Sequence, residues 1–230
     1  LQTIFGGITM CGRFALLAPG PTIAEQFGVE VTHEIVPRYN IAPTQPVAAV
    51  RLNQRGAREL TYFRWGLIPS WAKDPAIGSR MINARAETAA EKPSFRAAFK
   101  RRRCLLPASG FYEWQKLNGG KQPTYVRPAD DSLFGLAGLW ETWHDADGGL
   151  IETCTILTTM PNELMKPIHN RMPVIIDPAD YSMWLDPGDN PQDALHLLRS
   201  YPSDEMDAYA VSTTVNNPRN ESPINIEPID

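Results

Sequence analysis

The sequence predicts a single α+β domain, with a largely antiparallel, curled or barrel-like β-sheet flanked by short helices. Three observations lead there. Stretches that read as strands outnumber those that read as helices. Most strands follow one another through short turns, which favours antiparallel neighbours. The 21 prolines are spread along all 230 residues, and no repeat, low-complexity tract or Pro/Ser-rich hinge divides the chain.

The elements follow in order. Residues 21–27 read as a short helix, with Pro21 in its first turn and Gly28 as its stop. Residues 47–52 and 59–65 read as two strands of a hairpin turned at 53–56. Two short helices, 86–92 and 94–102, are separated by Pro93. Strands are expected at 104–106 and 110–115, and the turn Asn118-Gly119-Gly120 leads to another at 124–127. Residues 133–140 and 151–159 are further strands. Helices are expected at 161–165, 179–185 and 192–199, and strands at 172–176 and 208–212.

A hydrophobic fraction of 43% is ample for a packed core, and no run approaches the roughly 18 apolar residues of a membrane span. The apolar stretch from Ile4 to Cys11 is broken by Gly6, Gly7 and Thr9 and lacks the basic flank of a secretory signal. A soluble, cytoplasmic protein is expected. The three cysteines, Cys11, Cys104 and Cys154, are odd in number and widely spaced, which argues against a disulfide framework or a cysteine zinc site. Cys104 and Cys154 lie in apolar strand-like runs and read as buried hydrophobes.

The net charge of -4 conceals an asymmetry. Residues 1–120 hold 16 Lys and Arg against 8 Asp and Glu, whereas residues 121–230 hold 6 against 18. A basic half joined to an acidic half suggests a polyanion-binding face, although an uneven solvated surface would look the same. Arginine dominates the basic half, which suits bidentate phosphate contacts.

Six short segments mix Gly/Pro punctuation with reactive or planar polar side chains. They are Met10-Cys11-Gly12-Arg13-Phe14, Arg38-Tyr39-Asn40-Ile41-Ala42-Pro43 and Trp65-Gly66-Leu67-Ile68-Pro69-Ser70-Trp71. Then come Ile82-Asn83-Ala84-Arg85-Ala86-Glu87, Gly110-Phe111-Tyr112-Glu113-Trp114 and Ile168-His169-Asn170-Arg171-Met172-Pro173. Each alone has an ordinary explanation: an exposed strand glutamate, a structural histidine, a turn asparagine, core tryptophans. Arg101, Arg102 and Arg103 read as an exposed, solvated run. Strand alternation points Glu113 to the face opposite Tyr112 and Trp114, and a pocket there would raise its pKa and suit it to proton transfer. No metal-ligand spacing, phosphate loop, nucleophile elbow or dinucleotide fingerprint is present.

Together and in this order, these segments resemble the SRAP family (SOS-response-associated peptidases, also called abasic-site processing proteins). The resemblance spans Met10 to about Ile226 and includes the closing Val211-Ser212…Val215-Asn216. It implies a domain over 10–230 and a DNA-damage role on single-stranded DNA. In that family the mature chain begins with cysteine, whose α-amine and thiol close on the aldehyde of an abasic site as a thiazolidine. Cys11 takes that place here. An α-amine with a pKa of about 7.7–8.0 is a usable nucleophile near neutrality, and its own thiol needs no separate positioning. By the same resemblance Glu113 is the acid/base, His169 handles protons at the deoxyribose oxygen, and Asn83 orients lesion and cysteine. Arg13, Asn40, Arg85 and Arg171 match DNA-contact positions, with Trp71 as the aromatic that stacks or wedges at the lesion. Arginine with an aromatic platform is a sensible single-strand surface. No metal, cofactor or membrane is implied, and a monomer is favoured.

Residues 1–9 read as an N-terminal extension, and while they are attached Cys11 has no α-amine. Three explanations stand: a true start at Met10, a removable propeptide, or a member that binds without crosslinking. Two rival functions also remain open. One is a thiol peptidase, acting on its own N-terminus, with Cys11, Glu113 and His169 as its set. The other is a noncovalent single-stranded DNA-binding module.

Overall fold

The computed structural model describes residues 11–188 and 190–229; the expected extension at 1–9 lies outside them. The first strand, β1 (Phe14–Leu16), leads into α1 (Gly20–Phe27). Gly28 ends this helix in the left-handed conformation (φ 63°), its N–H returning to Ala24 O, and Ile23 and Phe27 are buried one turn apart. Next come β2 (Arg38–Ile41), β3 (Pro46–Leu52) and β4 (Arg58–Trp65). The expected β3–β4 hairpin is present, its turn held by Asn53 Oδ1, which accepts from the N–H groups of Arg55 (2.9 Å) and Ala57 (3.1 Å).

The middle of the chain supplies β5 (Asn83–Arg85), α2 (Ala86–Ala89) and α3 (Arg96–Arg101). Five longer strands follow, beginning with β6 (Arg103–Ala108), β7 (Gly110–Leu117) and β8 (Gly120–Pro128). They continue with β9 (Phe134–His144) and β10 (Leu150–Thr159). Short elements complete the chain: β11 (Met172–Pro173), β12 (Ile175–Ile176), α4 (Tyr181–Leu185) and β13 (Met206–Ala210).

Five strands close on themselves. β10 pairs with β9, β9 with β6, β6 with β3 and β3 with β4, all antiparallel, and β4 returns to β10 in parallel. The ring removes the open edges that a flat sheet would expose. β5, β11 and β12 attach to it through β10 and β9. A second sheet, in the order β13-β8-β7-β1-β2, is antiparallel throughout. The expected α+β fold with a barrel-like antiparallel sheet and short helices is therefore what the chain adopts.

The main core runs through both sheets. Phe14 on β1 meets Trp65 on β4 edge-on, ring centroids 5.3 Å apart, a contact worth about 0.5–1.5 kcal/mol beyond its buried area. The opposite face of the second sheet carries Ala15, Tyr112 and Tyr125, covered by Val211 and Val215 of the C-terminal segment. Cys104 and Cys154 are fully buried, as expected.

Several elements differ from the sequence expectation. Residues 161–165 form turns, because Asn162 Oδ1 takes the Met165 N–H (2.9 Å) and closes a local loop. Residues 191–197 are a 3-10 helix, and 179–185 divides between a 3-10 turn and α4. The single strand expected at 172–176 is split at Val174, which donates to Leu157 O and accepts from Ala137 N, so β11 lies on β10 and β12 on β9. The arginine run is not solvated as a unit. Arg103 is buried, its guanidinium on the carbonyls of Trp184 and Asp186 and against the Trp184 ring, and Arg102 pairs with Glu141 at 2.6 Å. Arg101 alone of the three is exposed.

Candidate active site

Antiparallel pairing of β1 with β7 sets Phe14 opposite Phe111 and brings the chain before β1 alongside Glu113. The Cys11 backbone N–H donates to Glu113 Oε1 at 2.6 Å, with both residues buried. Strand alternation sends Glu113 and Phe111 inward to the core containing Cys11, while Tyr112 and Trp114 join the cluster on the other face. Burial pushes the Glu113 carboxyl up to about 8, against opposing pulls from the N–H groups of Cys11 and Trp114 and the Lys121 charge. Burial, with a smaller push from Glu113, also holds the Cys11 thiol well above its ordinary value. Cys11 has a positive φ of 36°, unusual for a residue with a β-carbon.

His169 is brought to the same end of β7. Gln115, two residues beyond Glu113 and so on its face, donates from Nε2 to Pro167 O at 3.1 Å, tying the histidine segment to the strand. His169 is half-buried, and its ring Nδ1 lies 3.2 Å from the Arg171 N and 3.3 Å from the Arg171 O. Burial lowers its pKa; the Arg171 carbonyl opposes this, and the charges of Lys121 and Lys116 add to it. Those lysines, paired across β7 and β8, escaped the sequence reading. Their positions on either side of the Asn118-Gly119-Gly120 turn, Lys116 on the strand that carries Glu113 and Lys121 on the next, were the available signal.

Asn83 begins β5, beside Ile156 of β10. Its neighbourhood is fixed from β4: Trp65 is fully buried and donates from Nε1 to Ile82 O (2.9 Å), and Leu67 N donates to Met81 O (3.1 Å). Gly66 between them has φ 126°, and a β-carbon there would lie 2.6 Å from Gly78 O, so only glycine fits. Arg85 at the end of β5 is exposed. Trp71 is 59% exposed, beside a cavity of about 270 Å³ lined also by Lys73, Asp74, Ile77 and Arg80. Lys73 and Arg80 were not singled out from the sequence, because nothing local marks them as sharing a hollow with Trp71.

Three residues expected at a DNA surface have internal partners. Asn40 is fully buried, its amide nitrogen donating to the carbonyls of Val215 (3.3 Å), Asn217 (3.0 Å) and Asn220 (2.9 Å). Arg13 donates to Asn40 Oδ1 (2.6 Å) and Val215 O (2.7 Å), and its guanidinium lies 5.8 Å from the Trp114 ring centre. Arg171 is buried, with its two terminal nitrogens on Glu87 and Thr158. For Asn40 and Arg171 the reason is the same: each side chain is itself buried and takes its partners from the carbonyls or carboxylate around it. Among the described residues no group of three or more His, Cys, Asp or Glu is arranged to hold a metal, and no helix is long and apolar enough to cross a membrane.

A buried carboxyl against a cysteine backbone nitrogen can move protons to and from whatever that cysteine attacks. The family model described as SOS response associated peptidase (SRAP) matches residues 10–218. Abasic site processing protein YoqW of Bacillus subtilis is 47% identical over 223 residues, covering 95% of this chain and 99% of its own. Abasic site processing protein HMCES of Xenopus tropicalis is 36% identical over 218 residues, covering 81% of this chain and 64% of its own. A crystal structure of a protein from Bacteroides thetaiotaomicron matches with a TM-score of 0.86 at 27% identity, over 95% of this chain and 100% of that one.

Proposed function

The chain belongs to the SOS response associated peptidase family, and from that premise we propose that it processes abasic sites in single-stranded DNA by a covalent crosslink through Cys11. The observation that carries the reading is the 2.6 Å contact between Cys11 N and Glu113 Oε1. In the proposed mature form, released from residues 1–10, that nitrogen is the α-amine.

The ring-opened sugar presents its C1′ aldehyde to the amine. Nitrogen adds to the carbonyl carbon, the carbonyl oxygen takes a proton, and loss of water leaves an imine. A buried carboxylate against that nitrogen can take the proton from the amine and return one to the departing hydroxyl. The Cys11 thiol then adds across the imine, its proton passing to nitrogen, and closes a five-membered thiazolidine. The sum is amine, thiol and aldehyde giving thiazolidine and one water, with nothing oxidised. His169, at the same end of β7, is assigned the deoxyribose oxygen, and Asn83 the orientation of lesion and cysteine. Exposed Arg85 and the Trp71 hollow, with Lys73 and Arg80, are assigned the flanking nucleotides. A cytoplasmic site of action, on nucleoid DNA when bound, belongs to the same reading.

The test is direct. Chain beginning at Cys11 is incubated with an oligonucleotide carrying one abasic site and run under denaturing conditions. A slow species should persist; noncovalent retention alone would favour a simple binding module.

One observation favours a second activity at this site. Before processing, Cys11 N is the leaving nitrogen of the 10–11 peptide bond, and a protonated Glu113 beside it is a proton donor. In self-cleavage the Cys11 thiol would add to the residue-10 carbonyl carbon, and the C–N bond would break as the nitrogen takes a proton. Water would then hydrolyse the thioester, freeing residues 1–10, the thiol and the amine that the crosslink needs. Intact mass distinguishes it: the wild type should lose residues 1–10 on incubation, and both Cys11→Ala and Glu113→Gln should retain them.

A further inference from the structure

The segment from 168 to 173 has no regular structure until β11, and it carries the His169 ring. Its anchor is Arg171. That guanidinium grips Glu87 on α2 with both terminal nitrogens, Nη1 to Oε1 at 2.5 Å and Nη2 to Oε2 at 2.8 Å. Nη2 also donates to the Thr158 carbonyl of β10. Thr158 is paired with Arg85 of β5 on one side and with Pro173 of β11 on the other. Three segments thus meet on one side chain: the end of β10, the start of α2, and the His169 segment itself. A bidentate arginine–carboxylate fork sets angle as well as distance.

The main chain of Arg171 serves the His169 ring. Nδ1 lies 3.2 Å from the Arg171 N and 3.3 Å from the Arg171 O. In the neutral ring the Arg171 N–H donates to Nδ1, which leaves the proton on Nε2. In the charged ring Nδ1–H donates to the Arg171 O. One residue therefore satisfies both protonation states without turning the ring, an arrangement suited to repeated proton transfer. The charges that act on this ring are those of Lys121 and Lys116 from the β7–β8 hairpin; Arg171 acts on it through its main chain, while its guanidinium is paired with Glu87.

We infer that Glu87 is a positioning residue for His169: by clamping Arg171 onto β10 it holds that residue's main chain against the ring and so sets which ring nitrogen carries the proton. The inference rests on the proton-transfer role proposed for His169. A purely structural ion pair would stabilise the fold and leave the ring's protonation pattern alone.

The experiment reads the ring in DNA-free protein, so its outcome is separate from whether the chain crosslinks. The full chain is labelled with ¹⁵N, and the His169 ring nitrogens are identified by their loss in His169→Gln. Their shifts are recorded at a pH where the ring is neutral, in wild type, in Glu87→Gln and in the double variant Glu87→Ala with Arg171→Met. Expected in wild type are two widely separated ring-nitrogen shifts with the proton on Nε2. In both variants that separation should collapse as the two tautomers mix. In chain beginning at Cys11, incubated with an abasic oligonucleotide, the variants should crosslink about tenfold to a hundredfold more slowly, the cost of a misplaced acid/base. A separation as wide in the variants as in wild type overturns the inference, whatever the crosslinking rates. Glu87→Gln, nearly isosteric, decides alone should the double variant not fold.

Discussion

Glu113 takes the Cys11 N–H at 2.6 Å although 102 residues separate the two in sequence, and neither residue is more than 1% exposed. The donor lies three residues before β1, whose pairing with β7 sets Phe14 opposite Phe111 and so carries the Cys11 nitrogen to the Glu113 side chain.

Glu113→Gln should therefore slow crosslinking strongly while leaving the fold intact. The amide keeps the shape and one acceptor and loses the proton exchange, and general acid–base catalysis is typically worth about 10²–10⁴-fold. Single-turnover crosslinking on denaturing gels measures it, and an unchanged rate removes Glu113 from the acid/base role.

The same substitution should remove a pH dependence of stability. In the unprocessed chain burial raises the Glu113 carboxyl from 4.5 to about 8. The native state then binds its proton more tightly than the unfolded state, so the contribution is fully present below 4.5 and is lost as pH rises through 8. Its slope across that window is at most about 1.4 kcal/mol per pH unit. Urea unfolding at a series of pH values should show the wild type weakening relative to Glu113→Gln between those limits; parallel curves would contradict the buried, protonated carboxyl.

Cys11→Ser in the processed chain should hold single-stranded DNA and give no adduct that survives denaturation. Its amine can still form an imine, but a hydroxyl is a poor substitute for a thiol in closing the five-membered ring. A serine variant with a wild-type yield of stable adduct would sink the thiazolidine chemistry.

Trp71→Ala should weaken single-strand binding by about 1–3 kcal/mol, the usual value of one base–aromatic stack. Stability should barely change, because the ring is 59% exposed. Arg85→Ala should instead flatten the dependence of log affinity on log salt, by about 0.7 for each phosphate that the side chain neutralises. Fluorescence anisotropy at several salt concentrations separates the two effects.

Asn40→Ala should act on the fold and not on DNA directly. It removes the donor to three carbonyls of the C-terminal segment and the acceptor for Arg13, from a side chain that is itself fully buried. A loss of about 2–4 kcal/mol is expected, a few buried groups left unpaired. Proteolysis should open the chain near 213–229 first. Full stability with reduced DNA affinity would return Asn40 to the DNA surface.

Much of the fold was readable in order. The long strands carry their pattern over seven or more residues, and the β3–β4 turn and the α1 stop are written in Asn53, Gly56 and Gly28. β1, β2 and β5 were missed because three or four residues are too few for a period, and they are strands only through the partners they meet.

For the site, the sequence by itself determined which residues stand out: a cysteine within Met10-Cys11-Gly12-Arg13-Phe14, a glutamate between aromatics, a late histidine and an asparagine before Ala84-Arg85. It also determined the family, since six ordered segments together carry far more than any one of them. Only the tertiary structure decided which of these touch. Register placed Glu113 against the Cys11 nitrogen, and barrel closure through β10 brought Glu87 and Arg171 together. Burial then determined the chemistry, lifting one carboxyl to about 8 and turning Asn40 and Arg171 inward. An arginine in a string of letters is the same whether it meets phosphate or carboxylate. What distinguishes the two is the dielectric and the partner around it, and both exist only once distant strands have paired.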